Sequence, residues 1–180
     1  MSSKAFNEQT ATTTALAPHG TPWQTSWKKA WRWWLLALAI VAADLLTKAI
    51  TEATMPFLDY VEITSFFNYG HWRNPGAAFS FLADAGGWQR YFFVTLAGAV
   101  SIWLAYALTR PLQLLERWAY SLILGGALAN GIDRAIRGYV VDFLDFHWRG
   151  MHWPAFNVAD MAIMTGAALM IAGAFSKPKP

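Results

Sequence analysis

The chain has 180 residues, 56% hydrophobic and only 14% charged, with a formal net charge of +3. An ordinary soluble domain carries about 25% charge, so this composition excludes a soluble home and points to a membrane. Cysteine is absent, which excludes disulfides, a thiol nucleophile and thiolate metal sites, and the few basic residues lie beside apolar runs instead of forming a nucleic-acid patch.

Residues 1–27 are rich in Ser, Thr, Ala, Gln and Pro without helical or strand periodicity. They predict a polar, disordered tail, either an inert extension or a partner-binding segment. They lack the apolar core of a secretory signal peptide. From residue 28 to 180 the sequence predicts a single membrane domain. Its apolar runs lie near the length of about 20 residues that a bilayer-crossing helix needs. The spans are expected at about 31–50, 91–109, 118–136 and 154–175, with tryptophans near several ends as interfacial anchors.

Basic residues orient the bundle. Lys28, Lys29 and Arg32 precede the first span, Arg110 and Arg117 join the second to the third, and Lys177 and Lys179 follow the fourth. These belong on the cytoplasmic side, which places both termini there. Arg73, Arg90, Arg137 and Arg149 fall on the opposite side, so the short connectors and the basic N-terminal flank decide the orientation. The fold class expected is therefore an all-α membrane protein of four transmembrane helices. A small extracytoplasmic β-subdomain is expected between helices 1 and 2, at about 52–90, where VEIT alternates and RNPGAAFSFL carries an Asn-Pro-Gly turn signal. Aromatic residues in this connector, among them Phe57, Tyr60, Phe66, Phe67, Phe79 and Phe81, either pack it or line a lipid-facing groove.

In such an up-and-down bundle one face collects most of the polar residues of the spans. Asp44 and Lys48 end the first span; Asn130, Asp133 and Arg134 end the third; Asn157 and Asp160 begin the fourth; Asn74 and Asp142 lie in connectors on that face. Ionisable groups in apolar spans are costly and persist mainly where they pair or line a functional cavity. Spacings of three and four put each helical set on one face. Two carboxylates sharing one proton can hydrolyse a peptide without metal or thiol, since like charges held close do not both ionise cheaply. Asp142 and Asp160, with no adjacent base and close to a membrane boundary, suit that role best, although buried carboxylates also build purely structural networks. Asp133 beside Arg134 suits an ion pair. Asp145, His147 and His152 suggest a metal site, but there is no HExxH helix and the stretch DFHWRGMHW reads as interfacial loop.

Five ordered blocks narrow the choice: DLLTK, RNPGAAFSF, GALANGIDR, VVDFLDF and FNVAD. Together they resemble lipoprotein signal peptidase (signal peptidase II), from about Trp33 to Phe175, with Ala129 standing where that family is expected to have glycine. The resemblance implies a bacterial inner-membrane aspartic endopeptidase with Asp142 and Asp160 catalytic, at the periplasmic face. Asp44, Lys48, Asn74, Asn130, Asp133, Arg134 and Asn157 are then substrate-binding or structural supports. It further implies no metal or other cofactor, and cleavage of diacylglyceryl prolipoproteins N-terminal to the lipid-modified cysteine. The partners expected are that substrate and membrane lipids, with no nucleic acid and a monomeric enzyme. A proton-coupled transporter using Asp44, Lys48 and Asp160 as a relay is the rival of another class, yet the second span and the inner halves of the others lack the polar groups a relay needs. A noncatalytic scaffold held together by its polar cluster is a third reading, and neither rival accounts for the five blocks.

Overall fold

The structure is a computed structural model and describes residues 27–76, 82 and 86–176. Residues 1–26 of the tail, Phe79, Phe81, Lys177 and Lys179 therefore lie outside the described residues. Among the described residues there are four helices: α1 (Trp27–Thr54), α2 (Trp88–Ala107), α3 (Leu114–Arg137) and α4 (Val158–Ser176). Four strands join them: β1 (Tyr60–Thr64) and β2 (Phe67–Asn74) between α1 and α2, and β3 (Val140–Trp148) and β4 (Met151–His152) between α3 and α4.

Among the described residues three helices are long and apolar enough to cross a membrane: Ala30–Thr54, Trp88–Ala107 and Val158–Phe175. Leu35, Leu38, Phe92, Leu96, Met164 and Ile171 stand exposed on them, as a lipid-facing belt requires. The remaining helix, α3, is the central one and packs against all the others. Its inward residues Ala119, Ser121, Leu124, Gly125, Gly126, Ala129 and Asn130 are buried, so protein takes the place of lipid around it and its sequence can carry polar groups. Close approach depends on small residues: a Cβ on Gly126 would stand 2.4 Å from the Ala159 carbonyl oxygen, and one on Gly125 2.8 Å from that of Ala37.

The sheet runs β1-β2-β3-β4, all antiparallel. Half of it thus comes from the connector between α3 and α4, where sequence reasoning expected only a loop. VVDFLDF becomes a strand because Phe67, Asn68 and Tyr69 pair with Phe146, Asp145 and Leu144, whereas Trp72 faces Asp142 and Asn74 faces Val140. Between Tyr69 and Trp72 the register slips by one residue, a bulge that turns the strand and re-aims its side chains beside Asp142. Gly138, at φ 84°, ends α3 in the left-handed conformation and donates its N–H to Arg134 O, turning the chain into β3.

Helix α4 corrects the boundary expected at Pro154. Residues 154–157 are not helical: Phe156 bridges to Leu144 of β3, and the helix begins only after Asn157. Asp160 thereby sits in the first helical turn, the most polar part of an otherwise apolar span.

Candidate active site

The site grows from the N-terminus of α4, which has orphan backbone donors to satisfy. Asn157 Oδ1 accepts the N–H of Asp160 at 2.9 Å, while Asp160 Oδ2 accepts the N–H of Asn157 at 3.3 Å, a reciprocal capping box. A third donor, the Ala159 N–H, goes to Asp44 Oδ1 of α1 at 2.7 Å. Capping therefore fixes the Asp160 carboxylate and ties it to another helix.

Asn157 also fixes the second carboxylate. Its Nδ2 donates to Asp142 Oδ1 at 2.7 Å, and Asn74 forms another side-chain hydrogen bond to Asp142. The two aspartates thus meet across one asparagine, from different elements, at the floor of a groove of about 1420 Å³. Trp72, Asn74 and Arg134 border the groove beside them, and Phe156, Ile163 and Met164 make its apolar wall. Burial above all, then the charge of neighbouring Asp160, pushes the Asp142 carboxyl up to about 7, against the pull of the Asn157 and Asn74 hydrogen bonds and of Lys48. A carboxyl in that position holds a proton near neutrality.

Behind Asp160 lies a fully buried ionic cluster. Asn130 Nδ2 donates to Asp160 Oδ1 at 2.8 Å, and its Oδ1 accepts from Lys48 Nζ at 2.9 Å. Lys48 Nζ pairs with Asp44 at 2.6 Å and with Asp133 at 2.8 Å. Three helices are thereby pinned around one ammonium.

Every sequence-predicted site residue reaches this face, but one pairing is different. Asp133 binds Lys48 and Arg137, not Arg134. Neighbours on a helix point about 100° apart, so adjacent opposite charges seldom pair with each other. The Arg134 guanidinium instead donates to Gly76 O at 2.6 Å and Asn130 O at 3.3 Å, and lies over the Phe93 ring. It thus ties α3 to the chain just after Asn74. Asp145 turns to Asn68 (2.8 Å) and to His152 Nδ1 (2.9 Å), while His147 stacks on His152. Sequence reasoning missed Asn68, Glu52 and Arg137 as partners of this face. For the last two the signal was present, since Glu52 lies four residues after Lys48 and Arg137 four after Asp133.

A family model, Signal peptidase (SPase) II, matches residues 36–176. The chain belongs to the signal peptidase II family. Members are membrane proteases that remove signal peptides during lipoprotein maturation. Similar relatives include the lipoprotein signal peptidase of Serratia marcescens, 52% identical over 73% of this chain and 78% of that one. That of Aeromonas hydrophila is 51% identical over 86% and 95%, and that of Haemophilus influenzae 50% over 81% and 86%. A solved bacterial membrane enzyme superposes with a TM-score of 0.74 at 32% identity, covering 87% of this chain and 97% of its own. As a signal peptidase II family member the chain is a hydrolase, and the groove is its candidate active site.

Proposed function

We propose that the chain removes the signal peptide from diacylglyceryl-modified prolipoproteins by cleaving N-terminal to the lipidated cysteine, with Asp142 and Asp160 as the catalytic pair. The observation that carries this reading is the bridging of a buried carboxylate, Asp142, and a partly buried one, Asp160, by Asn157 along one groove. With one shared proton, the ionised carboxylate takes a proton from water as its oxygen attacks the scissile carbonyl, and the protonated one gives its proton to the carbonyl oxygen. The tetrahedral diol then collapses as the pair protonates the departing amine and takes back a proton from one diol hydroxyl, leaving the acid, the amine and a singly protonated pair. Asp44, Lys48, Asn74, Asn130, Asp133, Arg134 and Asn157 hold that pair in place.

The groove suits a substrate that cannot leave the bilayer. A signal peptide is an apolar helix and a diacylated cysteine is anchored by its chains, so the scissile bond must be met near the membrane surface. The pair sits at the start of an apolar helix and beside a sheet, which is where that surface would lie. In this reading all four helices of residues 28–180 span the bacterial inner membrane as one peptidase domain. Both termini are cytoplasmic, the groove opens to the periplasm, and the enzyme works as a monomer among membrane lipids.

The test is incubation of purified protein with a lipobox peptide bearing a diacylglyceryl cysteine, with the same peptide unlipidated alongside and products read by mass spectrometry. A single cut before the cysteine, in the lipidated peptide only, is expected; cutting elsewhere or indifference to the lipid would overturn the assignment. For topology, an alkaline-phosphatase fusion at the C-terminus is expected to be inactive, and an active one would break the four-span arrangement.

A further inference from the structure

Glu52 and Arg137 form the outer end of a run of polar contacts that finishes on Asp160. Arg137 pairs with Glu52 at 2.8 Å through one amino group and with Asp133 through the other. Asp133 pairs in turn with Lys48 at 2.8 Å, Lys48 donates to Asn130 at 2.9 Å, and Asn130 donates to Asp160 at 2.8 Å. The inner members, Asp44, Lys48 and Asp133, are 0% exposed, while Glu52 and Arg137 are each 24% exposed.

Charge balance gives this run a purpose. Asp44 and Asp133 set two buried carboxylates against the one ammonium of Lys48, and Arg134 is the other buried cation of the site. Add a carboxylate pair carrying one proton, hence one negative charge, and the buried set is left with one uncompensated negative charge. Arg137 is the cation that cancels it. Of the other charged groups on the groove, Arg73 is exposed and lies over the rings of Phe57 and Tyr139, and Asp145, held by Asn68 and His152, adds a further buried negative charge. Glu52 pairs with Arg137 and is exposed to the same degree, so it offsets part of that positive charge, and its removal acts in the opposite direction.

We propose that Arg137 is a positioning residue that sets the pH range over which the Asp142–Asp160 pair holds its single proton, acting through the Asp133–Lys48–Asn130 run and without touching substrate. The inference rests on the catalytic pair proposed above. Without Arg137 the uncompensated negative charge favours a second proton on the pair, so a higher pH is needed to reach the singly protonated form. The expected shift is roughly half a pH unit to one unit, the size of a unit-charge effect across about 10 Å or more of partly hydrated protein.

The experiment is the pH–rate profile for cleavage of the diacylated lipobox peptide by purified wild-type, Arg137→Gln, Arg137→Lys and Arg32→Gln proteins. Arg137→Gln is expected to move the whole profile toward alkaline pH. Arg137→Lys, which keeps the charge, is expected to stay with wild type, and so is Arg32→Gln, which removes an exposed cation at the far end of α1. A purely structural role would lower the rate or the melting temperature without moving the profile, and an unmoved Arg137→Gln profile overturns the proposal. An equal shift in Arg32→Gln also overturns it, by showing a general surface-charge effect. Should Arg137→Gln fail to fold, Glu52→Gln, which strips an anion from the same end of the run, must move the profile the other way, toward acid, and an unmoved profile there counts against the proposal. Failure of the catalytic pair itself would look different: Asp142→Asn or Asp160→Asn protein would still cleave.

Discussion

The side-chain amide of Asn157 donates to Asp142 over 2.7 Å, and the same residue caps the helix that carries Asp160. One asparagine thus does two structural tasks at once: it starts α4, and it holds a strand carboxylate against a helix carboxylate. In the proposed mechanism a rigid link between the two acids matters, because proton sharing fails if they drift apart.

Asp142→Asn and Asp160→Asn are each expected to abolish cleavage, with a loss of at least about a thousandfold, because each removes one of two required proton-transfer groups at nearly constant volume. Asp145→Asn is the internal control. Its carboxylate is committed to Asn68 and to the half-exposed His152, so its loss is expected to leave cleavage within a few-fold of wild type. Signal-peptide release measured beside thermal stability decides the matter, and a well-folded, fully active Asp160→Asn protein would sink the mechanism.

Lys48 and Arg134 are both buried cations, yet their loss is expected to differ. Lys48→Met takes the ammonium from two fully buried carboxylates, leaving Asp44 with the Ala159 N–H and Asp133 with Arg137, at an expected cost of about 3 to 5 kcal/mol. Arg134→Ala removes hydrogen bonds to two carbonyls, of Gly76 and Asn130, and the cost expected is about 1.5 to 3 kcal/mol. Thermal unfolding of both variants in one detergent gives the order. Greater damage from Arg134→Ala would show that its link to the segment after Asn74 outweighs the buried ion cluster.

Gly126 tests whether helix packing positions the site. A methyl group there meets the Ala159 carbonyl oxygen at 2.4 Å and Ile163 Cγ1 at 2.7 Å, in the first turns of the helix that carries Asp160. Gly126→Ala is expected to push α4 away from α3, destabilise by about 1 to 3 kcal/mol and lower cleavage more than tenfold. Gly98→Ala on α2 meets nothing within 4 Å and is expected to be neutral or stabilising by a few tenths of a kcal/mol up to about 1. Equal melting temperatures for the two variants would remove the packing argument.

Much of this arrangement was legible in the residues. Apolar runs and common-face reasoning place α1, α2 and α4 and bring Asp44, Lys48, Asn130, Asp133, Asn157 and Asp160 together, because helical spacing of three and four is a local property. The β3 strand was not legible: VVDFLDF becomes a strand only through partners some 70 residues earlier, across a bulge. Nor was the Asp133 pairing, since sequence adjacency suggested Arg134 while the helix turns Asp133 toward α1 instead. The late start of α4 depends on Phe156 bridging to β3, a tertiary contact that displaces the boundary a lone proline suggests.

Protonation of Asp142 predicts opposite-looking effects on activity and on stability. Its carboxyl, pushed up to about 7, keeps the shared proton in place below neutrality, so cleavage is expected to fall as pH rises above about 7 and the pair loses that proton. For stability the sign follows from proton counts. Between the ordinary value of 3.8 and about 7, the folded chain binds more protons at this site than the unfolded chain does. Stability therefore declines as pH rises through that window; the penalty is absent below about 4 and complete above about 7. Its upper bound is roughly 4 kcal/mol, reduced by coupling to Asp160. Asp142→Asn carries no such penalty, because an amide of the same shape does not ionise. The mutant is thus expected to melt higher than wild type at pH 8 while losing that advantage at pH 4, even as its catalysis is gone at both. Melting temperatures of the two proteins across pH 4 to 8 provide the check, and a constant difference between them would mean that Asp142 ionises in the folded protein as freely as in the unfolded chain.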